Sequence, residues 1–168
     1  MKRLSLSIFT VLILINGLLA QSTETQKKKK IYDPSADAKL EIANAVKKAE
    51  KEGKHVFLQI GGNWCIWCIA FDSKVISNDT LGMAMENNFI VYHLNYSKEN
   101  KNMDVLASLG FPQRFGFPVF VILDAKGNRL HTQNSEYLEE GKGHSTSKIL
   151  EFLKDWSPTA MDAKQYAD

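Results

Sequence analysis

Cys65 and Cys68 are the only cysteines in the chain, and two residues, Ile66 and Trp67, separate them. Thiols at that spacing can clasp a metal, staple the chain, or exchange electrons as a dithiol–disulfide couple. A zinc site needs four ligands, commonly further Cys or His. The four histidines, His55, His93, His131 and His144, lie on separate segments without ligand spacing, so no metal is expected. Haem attachment would need His directly after the second Cys, where Ile69 stands. A bridge across two residues closes a very small loop, and stabilisation by loop closure grows with loop length, so it makes a poor staple. Redox chemistry fits the residue types best. The thiolate is the reacting species, and a C-x-x-C pair at a helix N-terminus has its pKa lowered from the free value of ~8.5. In that arrangement Cys65 is the exposed nucleophile that forms a mixed disulfide with a client, and the more buried Cys68 resolves it.

Such a site requires a strand that ends, and a helix that begins, at the pair. His55–Ile60 is a short, mostly apolar run entered from Gly53-Lys54 and broken by Gly61-Gly62-Asn63, which predicts a buried strand. Ile69–Val75 has helical character, and Ser77-Asn78-Asp79 begins another short helix through Met85. Phe89–Asn95 predicts a second strand, Lys101–Leu109 a helix ended by Gly110, and Pro118–Leu123 a third strand. A turn at Asp124–Asn128 returns the chain as a fourth strand at Arg129–Thr132, Glu139–His144 is expected to form a solvated loop, and Ser145–Trp156 closes with an amphipathic helix. Ahead of all these, Leu40, Ala43, Val46 and Ala49, widened by Ile42, predict an amphipathic helix capped by Ser35 or Asp37 and ending near Gly53. The order is α/β, a strand–helix–strand unit followed by a hairpin and a closing helix: a central mixed sheet flanked by helices on both faces.

Trp64-Cys65-x-x-Cys68 after an apolar strand resembles the thioredoxin superfamily. A second segment agrees: Phe115-Gly116-Phe117-Pro118, leading into a hairpin fifty residues past Cys68. The resemblance covers roughly residues 36–157 and implies a thioredoxin-like fold. It implies that Pro118 is cis, and that the backbone of Phe117 binds the client's chain opposite the Cys pair. It also implies a thiol–disulfide oxidoreductase with Cys65 and Cys68 as catalytic residues and as the redox disulfide. Trp64, directly before the motif, is expected to pack against the pair and shape the client surface. Trp67 either presents a contact surface or fills the helix–sheet interface. The pattern departs from the family at Ile66 and Trp67, where thioredoxin has Gly-Pro and oxidising relatives place His before the second Cys. Gln59 stands where the family has a buried acid six residues ahead of the first Cys, and it does not titrate. Cys68 must then lose its proton by another route, such as water. A reductant or isomerase is expected rather than a strong oxidant. The alternative is a binding module with a non-catalytic pair.

The remaining composition concerns location and partners. Lys2 and Arg3 precede an apolar run to Leu19 and the small residue Ala20, the layout of a signal peptide over residues 1–20, cleaved near Ala20. Its apolar core is shorter than the ~20 residues of a spanning helix. The protein is therefore expected outside the cytoplasm, periplasmic or extracellular, with exported cysteine-containing proteins as clients and a membrane thiol protein as electron donor. Residues 21–35, including Lys27–Lys30, are polar and are expected to form a solvated linker, and 158–168 a C-terminal tail. The full chain carries 21 Lys+Arg and 19 Asp+Glu, and removal of Lys2 and Arg3 leaves no net charge. Nucleic acid is thus not an expected partner. No cofactor is expected, and the chain is expected to be a monomer.

Overall fold

A computed structural model of the protein describes residues 30–167. The expected signal peptide and most of the expected linker lie outside the described residues. Helix α1 spans Ala38–Glu52. The Asp37 carboxylate accepts from the amides of Lys39 and Leu40, both at 3.1 Å, and Gly53 ends the helix at φ 66°. A carboxylate cap of this kind contributes about 1 kcal/mol, and the left-handed turn at its end favours glycine. Strand β1 (His55–Gly61) follows, then α2 (Ile66–Ser77), α3 (Asp79–Asn88), β2 (Phe89–Asn95) and α4 (Met103–Ser108). The chain closes with β3 (Val119–Leu123), β4 (Arg129–Asn134), a miniature hairpin of β5 (Glu139–Glu140) and β6 (Gly143–His144), and α5 (Thr146–Asp155).

The main sheet has the order β2-β1-β3-β4. β1 runs parallel to β2, and β3 is antiparallel to both β1 and β4, so the sheet is mixed as expected. Alternation along β1 divides the interior. Val56, Leu58 and Ile60 join Ala45 and Ala49 of α1 and Val105 and Leu106 of α4 on one face. Phe57 points the other way, to Phe71 and Val75 of α2, Leu81 and Met85 of α3, and Ile149, Phe152 and Leu153 of α5. Every residue of β1 is buried, as a central strand covered on both faces must be. Among the described residues no helix is long and apolar enough to cross a membrane.

Four details differ from the sequence expectation. The buried stripe of α1 is Ala38, Ala45 and Ala49 with Ile42 and Val46 packed against it, whereas Leu40 is 55% exposed and Ala43 is exposed. A strict spacing of three drifts around a helix of 3.6 residues per turn, and the alternating four-three-four spacing stays on one side. α2 begins at Ile66, not Ile69, which places the second cysteine inside its first turn. The expected linker does not stay solvated to residue 35: Ile31 and Tyr32 pack into the domain, and Tyr32 is buried. The loop 139–144, expected to be solvated, folds back as β5–β6 with His144 buried.

Candidate active site

The site is built where β1 gives way to α2. Cys65 is the N-cap of α2, in extended conformation, and its sulfur accepts the backbone N–H of Cys68 at 3.1 Å. The first turn of α2 holds no acidic residue. Unpaired amides and the positive end of the helix dipole therefore act on the Cys65 sulfur without an opposing carboxylate in that turn, which favours a thiolate there. The two sulfurs form a disulfide, with S–S 2.04 Å and Cα–Cα 5.2 Å.

Cys65 was expected to be exposed, and it is not: its relative exposure is 5%, against 0% for Cys68. The cause is the chain preceding α1. Tyr32 forms a cluster with both cysteines, with Ile31 and Phe117 packed against it. Asn63 holds that segment in place. Its side-chain oxygen accepts from the amides of Ile31 (2.9 Å) and Tyr32 (3.1 Å), and its amide nitrogen donates to the Tyr32 carbonyl at 2.8 Å. The clamp needs room above β1, and Gly61 supplies it. A Cβ on Gly61 would collide with the Cys68 sulfur and lie 2.9 Å from the Tyr32 hydroxyl. Only glycine allows that approach.

The Phe117–Pro118 peptide is cis, as the resemblance implied. The Phe117 ring lies against the Cys cluster and between two other rings, edge-on to Trp64 at 5.5 Å and stacked on Tyr96 at 4.7 Å. Trp64 is 55% exposed and is fixed by its indole N–H, which donates to the Tyr96 carbonyl at 2.7 Å. A cleft of about 350 Å³ opens beside it, lined by Trp64, Tyr96, Ser97, Lys98 and Glu99. The structure thus brings Cys65, Cys68, Trp64, Phe117 and Pro118 together. Trp67 stands apart from the Phe117 stack: its ring meets His144 edge-on at 5.4 Å, and 37% of it remains exposed. Burial, and then the Lys74 charge, hold His144 below the usual histidine range.

Behind the pair, Gln59 is a buried polar group with satisfied partners. Its amide nitrogen donates to the Tyr32 hydroxyl at 2.9 Å and to the Cys68 carbonyl at 3.0 Å. His93 is its neighbour across the β1–β2 ladder and approaches Asp72 of α2 at 3.2 Å, an ion-pair distance without hydrogen-bond alignment. Tyr32, Asn63, Tyr96 and the Asp72–His93 pair were not singled out from the sequence. The one signal for Tyr32 was an apolar Ile31-Tyr32 step inside an otherwise charged stretch.

No curated protein matches the chain. Among solved structures it is similar to a disulphide isomerase from Xylella fastidiosa Temecula1, with 24% identity over 76% of this chain and 96% of that one and a TM-score of 0.67. It is also similar to DsbH oxidoreductase (20% identity, 71% and 82% coverage, TM-score 0.53). A third is the DsbD C-terminal domain of Neisseria meningitidis in its oxidised form (18%, 72% and 97%, 0.51). At these identities the likeness is one of fold. The thioredoxin-like family model matches residues 37–125, more than half of the chain and inclusive of the Cys pair, Trp64 and Pro118. The chain belongs to the thioredoxin-like family.

Proposed function

We propose that this protein is an exported thiol–disulfide oxidoreductase that exchanges disulfides with cysteine-containing exported proteins. One observation carries the reading: the Cys65 sulfur caps α2 and accepts the Cys68 amide, while Phe117 packs against the pair next to cis Pro118. In the reduced protein the Cys65 thiolate attacks a client disulfide. The client S–S bond breaks, a Cys65–client bond forms, and one client sulfur leaves as thiolate. The Cys68 thiolate then attacks Cys65; the Cys65–Cys68 bond forms and the second client sulfur leaves. The client is reduced by two electrons and the pair is oxidised. Trp64, Trp67 and the Phe117–Pro118 backbone form the client surface in this reading.

Reduction or isomerisation is favoured over strong oxidation, because Trp67 stands before Cys68 and an indole supplies no positive charge to a thiolate. A reductant outside the cytoplasm needs electrons, and a membrane thiol protein is the donor this reading requires. The similar structures include a disulphide isomerase and an oxidoreductase by name, which agrees with the chemistry. The reading further takes residues 1–20 as a signal peptide, 36–157 together with the packed Ile31–Tyr32 segment as the thioredoxin-like domain and 158–168 as a tail, in a monomer delivered to periplasm or medium.

The test is cleavage of insulin disulfides by the reduced protein and by its Cys65→Ser variant. Activity lost in the variant is expected, and equal activity in both sinks the assignment. Equilibration of the pair against glutathione buffers sets the direction: a potential near the ~−270 mV of thioredoxin means a reductant, and one near ~−120 mV a disulfide donor. The near-complete burial of both cysteines gives a second reading, a binding module with an inert pair. That reading requires a disulfide that resists both reduction and alkylation.

A further inference from the structure

We propose that Tyr32 is the hydrogen-bond donor that stabilises the Cys68 thiolate, a role closed to Gln59 because both of its amide hydrogens are already used. The proposal deepens the redox reading and rests on it for its meaning, though its test does not.

The argument begins with Gln59. The Cys68 carbonyl is an acceptor only, so the group facing it must be the Gln59 NH2. The Tyr32 oxygen is bonded to the same nitrogen, at 2.9 Å, and therefore accepts. Both amide hydrogens are then used, and the Tyr32 hydroxyl keeps its own hydrogen to donate. The Cys68 sulfur borders the same small space over Gly61: a Cβ there would collide with the sulfur and lie 2.9 Å from the hydroxyl oxygen. In the disulfide that sulfur is a weak acceptor. Once the pair opens it becomes a thiol and then a thiolate, a strong acceptor on a residue that is itself fully buried.

The donor is held for this role. Tyr32 is 3% exposed, and Asn63 fixes its backbone on both sides of the peptide unit. The titratable groups that face it are Asp72 from α2 and His93 from β2, the latter edge-on at 5.4 Å. Burial pushes the phenol well above the usual tyrosine range, and the Asp72 charge adds to this against the opposing hydrogen bond of Gln59. Tyr32 thus remains protonated and acts as donor, never as base. The proton that Cys68 loses before resolution goes to solvent; the hydrogen bond lowers the pH at which it goes.

The measurement is the titration of the Cys68 Cβ chemical shift in the full chain carrying Cys65→Ala, where Cys68 is free whether or not the native pair can be reduced. Tyr32→Phe keeps the ring and removes the donor. It is expected to raise the Cys68 pKa so that the thiolate fraction at a given pH falls about ten-fold or more, the effect of one hydrogen bond to a charged group. Replacing Tyr32 with 3,5-difluorotyrosine strengthens the donor and is expected to move the midpoint the opposite way. Identical midpoints in all three proteins overturn the proposal. Shifts of the same sign in both variants overturn it too, since loss of packing produces those. Failure of the redox reading is seen separately, as a native Cys pair that does not exchange with thiols at all.

Discussion

Replacing Asn63 with alanine will detach the Ile31–Tyr32 segment from the Cys pair and lower stability by about 2–3 kcal/mol. The side chain makes three hydrogen bonds to that segment, at 2.9, 3.1 and 2.8 Å, all partly buried. A neutral bond of this kind contributes about 1 kcal/mol net, which gives a loss of about 3 kcal/mol if the segment stays in place with its groups unpaired. The segment can instead lift off and regain water. The loss is then capped by what its attachment contributes, chiefly one buried ring, at about 1.5–3 kcal/mol. The two routes converge on the same range. Urea unfolding with tryptophan fluorescence measures it: at an m-value of roughly 1–3 kcal/mol/M the midpoint falls by roughly 0.7–3 M. Hydrogen exchange supplies the local readout, with protection lost at the Ile31 and Tyr32 amides. A stability change under about 0.5 kcal/mol, the size of an ordinary surface substitution, would refute the reasoning and mean that the ring alone holds the segment.

Four further outcomes are expected. Gly61→Ala places a methyl group against the Cys68 sulfur and the Tyr32 hydroxyl, neither of which can move freely, and lowers thermal stability by about 1–3 kcal/mol in a melting experiment. Trp64→Ala removes the bond to the Tyr96 carbonyl and one of the two rings against Phe117; insulin kinetics should show a raised KM with a smaller change in kcat. Burial raises the Asp124 carboxyl, but bonds from the Asn128 side chain, the Asn128 amide and the Lys126 amide outweigh it and hold the group below the usual carboxylate range. Its contribution is therefore present above the unfolded value of ~3.9 and lost as pH falls through the folded one, so Asp124→Ala should destabilise at pH 7 and match the parent in strong acid. For His144 the folded pKa lies below the unfolded one, so stability is lost as pH falls below ~6.5, and His144→Phe should flatten the acid limb of a melting-temperature profile.

The elements around the Cys pair could be read from the sequence because local chemistry specifies them. β1 is an apolar run closed by two glycines, β2 was bounded correctly at Phe89–Asn95, and the turn at Asp124–Asn128 announces the β3–β4 hairpin. Pro118 could be placed through the resemblance of the Phe115-Gly116-Phe117-Pro118 segment to the thioredoxin superfamily. What escaped was set by contacts distant in sequence. Asn63 reads as a loop residue, and nothing local says that its three bonds reach back to Ile31 and Tyr32. The burial of Cys65 follows from that clamp and so was missed with it. Likewise Glu139–His144 is polar enough to pass for solvated loop, and its anchoring depends on His144 meeting Phe71 and Trp67 of α2. In α1 the error was one of phase: Ala38, Ala45 and Ala49, not Leu40 and Ala43, lie on the buried side of a helix with 3.6 residues per turn.

The clamp at Asn63 also sets where the described residues enter the domain. Lys30 is exposed, and Ile31 is already bound beside the disulfide. A tag or fusion attached through this segment is therefore tethered beside the Cys pair; under the proposed redox function it is expected to slow exchange with clients and, tied to a surface, to turn the pair towards that surface.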